Sequence, residues 1–102
     1  MRLIIAGGRD YVLTGADHAR LGDIDGVSEV VSGGAKGADL SGEQWANSRG
    51  IPIVRFNADW NNFGRGAGPE RNRQMAKYAN AVALFPGGKG TESMASIAKK
   101  GG

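Results

Sequence analysis

Residues 85–93 read F-P-G-G-K-G-T-E-S, and this stretch decides the fold class. An apolar run, 81–85, precedes it, and residues 91–100 favour a helix. Glycine permits positive φ angles and lets a ligand approach the bare main chain. A helix N-terminus adds unpaired N–H groups and a partial positive charge. The order strand, glycine loop, helix therefore predicts an anion site, most often for phosphate, with a ligand-free βα turn as the alternative.

The length and composition fit a single domain in which neither thiol nor metal chemistry is expected. Its 102 residues are 40% hydrophobic and 23% charged, which suits one modest core. No apolar run is long enough for a membrane span and no signal-peptide layout is present, so we expect a cytoplasmic protein with no membrane partner. Cysteine is absent and His18 is the single histidine, so no metal site is expected. The net charge of +3 favours anionic ligands.

Apolar runs alternate with helical patterns along the chain. The predicted strands are 3–6, 27–32, 51–56 and 81–85. The predicted helices are 14–22, 38–49, 68–78 and 91–100. This β-α-β-α-β-α-β-α order predicts a Rossmann-like α/β three-layer sandwich with about four parallel strands and helices on both faces. A polar loop is expected over 57–66.

Three glycine loops are expected at one edge of this sheet. They follow the first, second and fourth strands, at 7–8, 33–37 and 87–90. In parallel sheets, ligands bind beyond the carboxyl ends of the strands, near the point where the strand order reverses. None of the loops matches the fingerprint of a dehydrogenase or of a P-loop NTPase, so a different kind of ligand site is predicted.

Several side chains near these loops have two interpretations. Arg71 lies in the first turn of its helix, where a cation opposes the helix dipole unless an anion binds. The alternative is that Arg71 and its neighbour Arg73 reach solvent or pair with Asp59 or Glu70. Asp39 either caps the second helix or binds a ribose hydroxyl. Trp60 either stacks on a base or covers the core.

The end of the first strand is equally open to two interpretations. Arg9 and Asp10 either line the cleft or form an ion pair within a turn. Lys36 either contacts phosphate or is solvated.

With these residues in view, the chain resembles the SLOG superfamily of Rossmann-like nucleotide-binding proteins, specifically its small YspA-like branch. The matching segments are G-G-R-D-Y (7–11), V-S-G-G-A-K-G-A-D (31–39), A-D-W (58–60), A-G-P-E-R-N-R-Q-M (67–75) and F-P-G-G-K-G-T (85–91). The resemblance implies a nucleotide or nucleotide-derived ligand, for example one like ADP-ribose, and no certain cofactor. The predicted ligand or phosphate contacts are Gly7, Gly8, Arg9, Ser32, Gly33, Gly34, Asp39, Arg71, Pro86, Gly87, Gly88, Gly90 and Thr91.

Two departures separate this chain from related proteins. The cytokinin-activating phosphoribohydrolases, of the lysine-decarboxylase-like family, carry P-G-G-x-G-T-x-x-E, whose glutamate serves catalysis. That position is Met94 here, and a thioether performs no acid–base chemistry. Glu92 lies two residues earlier and on a helix would point about 200° away. Rossmann-like relatives also usually add a further strand, so we expect a four-stranded sheet completed by a partner subunit in a homo-oligomer, a dimer or larger.

Three functions remain open, in order of preference. The first is a nucleotide-binding sensor or sequestering module. The second is a hydrolase that cleaves an N-glycosidic or phosphoester bond of a nucleotide, with Asp10, Asp39 or Glu92 as acid–base candidates. The third is a single-stranded nucleic-acid binder, which is the weakest because the basic residues are scattered and not interleaved with aromatic residues.

Overall fold

The computed structural model describes residues 1–34, 36–87 and Met94, without the side chains of Trp60 and Arg65. The strands are β1 (Arg2–Ala6), β2 (Glu29–Ser32), β3 (Ile53–Arg55) and β4 (Ala81–Leu84). The helices are α1 (Gly15–Gly22), α2 (Ala38–Ser48), α3 (Trp60–Phe63) and α4 (Ala67–Tyr78), with a 3-10 turn at Gly64–Gly66. None of the helices in these ranges is both long and apolar enough to cross a membrane. The predicted helix 91–100 lies outside the described residues, except that Met94 is helical.

The four strands form one parallel sheet in the order β3-β2-β1-β4. In the middle of the sheet, Ile4 of β1 pairs with Val31 of β2 and with Val82 of β4. The strand order reverses between β1 and β4, because the chain crosses from β3 to the far side of β1. The predicted parallel α/β fold is confirmed, and its switch point lies at the carboxyl ends of β1 and β4.

The side chains of β1 divide the core into two layers. Leu3 and Ile5 pack on the face that carries α1 and α2. Ile4 and Ala6 pack on the opposite face, with α4 and Met94. Successive residues of a strand point to opposite faces, so a continuous apolar run is what a sheet covered on both faces requires. The three-layer arrangement is therefore confirmed.

The first helix begins where the sequence predicts. Thr14 Oγ1 accepts the N–H of Asp17 at 3.2 Å, and Asp17 Oδ2 accepts the N–H of Thr14 at 3.0 Å, which makes a capping box. The Tyr11 hydroxyl donates to the same carboxylate at 2.5 Å. This bond lowers the pKa of Asp17 and raises the pKa of Tyr11. The loop after β1 is thereby tied to the start of α1.

The structure differs from the prediction between β3 and α4. Residues 57–66, predicted as a polar loop, contain α3 and the 3-10 turn. Asp59 stabilises α3 because its carboxylate accepts the N–H of Asn62 at 3.2 Å and its side-chain amide at 2.7 Å. A helix of four residues is too short to show apolar periodicity, so the sequence pattern missed it. β2 and β3 are also shorter than predicted, each lacking two residues at its start, and β3 one more at its end.

Candidate functional site

The loops after β1 and β4 meet the start of α2 at the switch point. The Gly8 N–H donates to the Pro86 carbonyl at 2.8 Å, and the Gly8 carbonyl accepts the N–H of Ala38 at 3.1 Å. Tyr11 stacks on Phe85 with ring centroids 5.7 Å apart. The structure therefore brings together loops that are almost 80 residues apart in sequence, as the strand order requires.

Glycine is required where these loops touch. Gly37 has a φ of +79°, and a Cβ on it would lie 2.3 Å from the carbonyl oxygens of both Gly8 and Arg9. A Cβ on Gly8 would lie 2.9 Å from the Cα of Gly87, and one on Gly7 would meet the first residue of α2 at 2.7 Å. Real Cβ atoms do not approach other atoms so closely, so any side chain there would push the loops apart.

A cavity of about 440 Å³ lies next to this junction. It is lined by Arg9, Gly33, Gly34, Lys36, Asn57, Ala58 and Arg71. Three of these lining residues are cationic and none of those described is acidic, so this wall attracts anions. The volume lies within the usual range for small-molecule sites. Lys36 thus lies at the cavity, although its contact with phosphate stays a prediction.

Arg71 reaches over the sheet edge from α4 to the loop after β2. Its Nη1 donates to the Gly33 carbonyl at 2.8 Å, and its Nε donates to Asn72 Oδ1 at 3.1 Å. The alternative pairing with Glu70 is confirmed for Arg73, at 3.3 Å, whereas Arg71 forms no ion pair with Glu70 among the described residues. Arg71 is therefore a cavity residue whose guanidinium is oriented by the Gly33 carbonyl and by the Asn72 side chain.

Asp39 approaches the same loop from the other face of the sheet. It is buried and is the second residue of α2, so the predicted role as N-cap is wrong; Gly37 is the N-cap. Asp39 Oδ2 and Arg71 Nη1 lie 2.9 and 2.8 Å from the point that a Cβ on Gly33 would occupy. The missing side chain of Gly33 admits both groups. The predicted contact of Asp39 with a ribose hydroxyl stays a prediction.

A hydrogen-bond network runs from the buried side chains of Ser32 and Glu43 to the exposed Arg55 beneath the loop after β2. Ser32 Oγ donates to Glu43 Oε2 at 2.6 Å and accepts the Gly34 N–H at 3.0 Å. Arg55 binds both oxygens of Glu43, through Nε at 3.1 Å and Nη2 at 2.5 Å. Burial by itself raises the pKa of Glu43, but hydrogen bonds from Arg55 and Ser32 and the charge of Arg55 hold it below its ordinary value. Ser32, only 1% exposed, supports the loop from the interior, and its predicted contact with a ligand stays a prediction.

Sequence reasoning missed four residues at this site. Asn57 and Ala58 follow β3, where the carboxyl-end rule also applies, but no glycine directly follows this strand to mark the position. Glu43 has a detectable signal, because it lies four residues after Asp39 and so on the same face of α2. Arg55 is a charged residue at the end of an apolar strand, and this feature alone does not predict a partner for it.

The remaining predicted residues divide into described and undescribed ones. Pro86 and Gly87 are exposed beside Gly8. Asp10 is exposed, and in the described part of the chain it forms no ion pair with Arg9. The predictions that lie outside the described residues are Gly88, Gly90, Thr91, Glu92 and the side chain of Trp60.

The parallel sheet, with helices on both faces and a cavity at its carboxyl edge, places the chain among Rossmann-like α/β proteins. The model of the YspA, cpYpsA-related SLOG family (YAcAr) matches residues 1–63, more than half of the chain, and the chain belongs to this family. The match spans β1 to α3 and stops before Arg71 and residues 85–93. No curated protein and no solved structure matches significantly. Membership of the family indicates a nucleotide-related ligand-binding role.

Proposed function

We propose that this protein binds a nucleotide or nucleotide-derived ligand, with its phosphate at the loop 85–93, as a sensor or sequestering module. One observation carries the proposal: Arg9, Lys36 and Arg71 surround a cavity of about 440 Å³ next to the junction of the glycine loops. The three cations come from three separate segments of the chain, so their convergence is a product of the fold. A phosphorylated small molecule is the ligand class that such a wall suits.

The electrostatics favour a phosphate over a neutral ligand. Arginine offers a planar fork of donors that matches phosphate oxygens, and lysine adds a point charge. Charges that line one concave surface reinforce each other and raise the local concentration of anions. The loops of Gly8 and Gly87 meet at the switch point, which is where parallel α/β sheets bind ligands, and this supports a phosphate position there.

Binding without turnover agrees best with Met94. Its side chain is 2% exposed and packs in the core layer that contains Ile4 and Met75. A glutamate at this position would serve catalysis in a phosphoribohydrolase, whereas here the position contributes to the hydrophobic core. A sensor or sequestering module needs no acid–base group at this point.

One observation favours a hydrolase as the second candidate. The Asp39 carboxylate is buried and reaches the loop that lines the cavity, next to Arg71. Buried carboxylates beside a cationic cavity are common among acid–base groups of enzymes. Asp39 is therefore the residue to test for turnover.

A thermal-shift screen tests the proposal. The purified protein is heated with nucleoside mono-, di- and triphosphates, cyclic dinucleotides and ADP-ribose, and co-purifying molecules are identified by mass spectrometry. We expect stabilisation by one of these classes, growing with ligand concentration, and no product by chromatography after hours of incubation. Stabilisation by none of them would contradict the proposal, and turnover lost in Asp39→Asn would replace it by the hydrolase.

Two lysines provide a matched pair for the same screen. Lys36→Ala removes a cation from the cavity, while Lys77→Ala removes the same charge from the last turn of α4. We expect the ligand to raise the melting temperature of Lys36→Ala by less than that of wild type, and to raise that of Lys77→Ala by as much as that of wild type. Equal losses in both variants would show that net charge, not the cavity, attracts the ligand.

A further inference from the structure

The peptide group between Gly33 and Gly34 is held at both of its ends. Its carbonyl accepts Nη1 of Arg71 at 2.8 Å, and its N–H donates to Ser32 Oγ at 3.0 Å. A peptide between two glycines is the kind that rotates most easily, because no Cβ restricts either side. Rotation here would break both hydrogen bonds together, so the two partners define one orientation.

The hydrogen bonds that hold this peptide continue from Ser32 to side chains of α2 and β3. Ser32 Oγ donates to Glu43, and Glu43 binds Arg55 through two hydrogen bonds. The Arg55 side chain returns to the loop, since a Cβ on Gly34 would lie 2.8 Å from its Cδ. The contacts therefore close a ring that begins and ends at Gly34, whose φ of +71° suits glycine.

We propose that Ser32 and Glu43 are positioning residues for Arg71, acting through the Gly33–Gly34 peptide. The orientation of this peptide determines where its carbonyl lies, and the carbonyl binds one N–H of the guanidinium. Arg71 has further N–H donors, and fixing one of them limits where the others point within the cavity. Through this chain of hydrogen bonds, the buried carboxylate on α2 helps to fix the position of the cation on α4. Its effect on ligand affinity rests on the proposed function, whereas its effect on the loop does not.

Ser32→Ala is the most direct test. It removes one oxygen from the network and does not change Glu43 or Arg55, so we expect the fold to be preserved. Amide hydrogen exchange, followed by NMR, reports on the Gly34 N–H, with the Val30 N–H as the internal reference. The Val30 N–H donates to the Pro52 carbonyl at 2.9 Å and does not contact the network. We expect Gly34 exchange to accelerate about tenfold relative to Val30, which corresponds to losing one hydrogen bond.

Matched controls separate positioning from general stability. Ser48→Ala removes a hydroxyl that donates to the Trp45 carbonyl at the far end of α2. Glu29→Gln is the control for Glu43→Gln, because both remove the charge of a hydrogen-bonded carboxylate. Glu29 accepts the Tyr78 hydroxyl and lies outside the network. We expect the Ser32 and Glu43 variants to accelerate Gly34 exchange selectively, and the two controls to leave the ratio of Gly34 to Val30 unchanged. Equal acceleration at both amides, or none at Gly34, would overturn the proposal.

Titration with ADP and with pyrophosphate supplies the ligand readout. If wild-type protein binds either probe, Ser32→Ala is expected to weaken binding about three- to tenfold in the wild-type background and to cause no further loss in the Arg71→Ala background. Additive losses would show that Ser32 does not act through Arg71 and would overturn the proposal. If wild type binds neither probe, the proposed function fails for these ligands, and the exchange ratio alone decides whether the network positions the loop.

Discussion

Replacing Arg71 by alanine, with Arg73→Ala as the control, tests the cationic cavity directly. Both variants replace one arginine of the same helix by alanine, so the helix propensity and the net charge of the protein change equally in the two. Arg71 lines the cavity and donates to the Gly33 carbonyl at 2.8 Å. Arg73 is exposed and makes a 3.3 Å pair with Glu70.

The structure sets the expected magnitudes. A hydrogen bond from a charged donor contributes about 1.5–3 kcal/mol when its partner is desolvated. If Arg71 contacts the phosphate, as the proposed function implies, Arg71→Ala weakens affinity about 10- to 150-fold. Losing the bond to the partly buried Gly33 carbonyl lowers the free energy of unfolding by about 1 kcal/mol. For Arg73→Ala, an exposed ion pair contributes at most about 0.5 kcal/mol, and affinity should not change.

Isothermal titration with the ligand identified in the screen measures affinity, and urea denaturation measures stability. Arg71→Lys completes the series, because it keeps the charge and removes the fork. We expect it to recover only part of the affinity. If Arg71→Ala binds as tightly as wild type, or if Arg73→Ala loses as much, the cavity is not the ligand site and the reasoning from its cations fails.

Three further predictions concern the loops and their supports. Gly37→Ala should lower the free energy of unfolding by more than about 3 kcal/mol in urea denaturation, because its Cβ would collide with two carbonyl oxygens. Gly26→Ala is the control, since Gly26 has a similar φ of +75° but open space around it. This control should lower the free energy of unfolding by only about 1–2 kcal/mol. The pKa of Glu43 is lowered on folding, so its contribution is complete above the ordinary glutamate pKa of about 4.3 and is lost as the pH falls through the lower folded value. The difference in unfolding free energy between wild type and Glu43→Gln should therefore shrink over that acidic range, and a difference independent of pH would contradict this. Asp17→Asn should lower the pKa of Tyr11 toward its ordinary value, as followed by NMR of the phenol carbon, with the second tyrosine unchanged as the internal control.

The parts of the fold that the sequence predicted share one physical property, which is that they depend on local pattern. The run Leu3–Ala6 alternates between two core layers, and its continuous apolarity already requires a sheet covered on both faces. Thr14 and Asp17 form their capping box within four residues. In contrast, α3 depends on a side-chain cap by Asp59 and on no periodic pattern, so the sequence could not distinguish it from a loop.

The site shows the same division. The carboxyl-end rule predicted that the loops at 7–8 and 33–37 would lie at one edge, because parallel strands deliver their ends together. The roles of single side chains within that edge were not predictable in this way. Whether Arg71 faces Gly33 or Glu70 depends on where α4 crosses the sheet, and α4 packs on the sheet through residues that include the buried Met75.

By itself, the sequence determined the order of elements, the parallel sheet and the glycine loops at its carboxyl edge, because each rests on residues near one another in the chain. Only the tertiary structure decided that Ser32 lies in the interior, that Glu43 binds Arg55, and that one peptide links this network to Arg71. These contacts join β2, α2, β3 and α4. Their geometry depends on strand order and helix placement, which no local pattern contains.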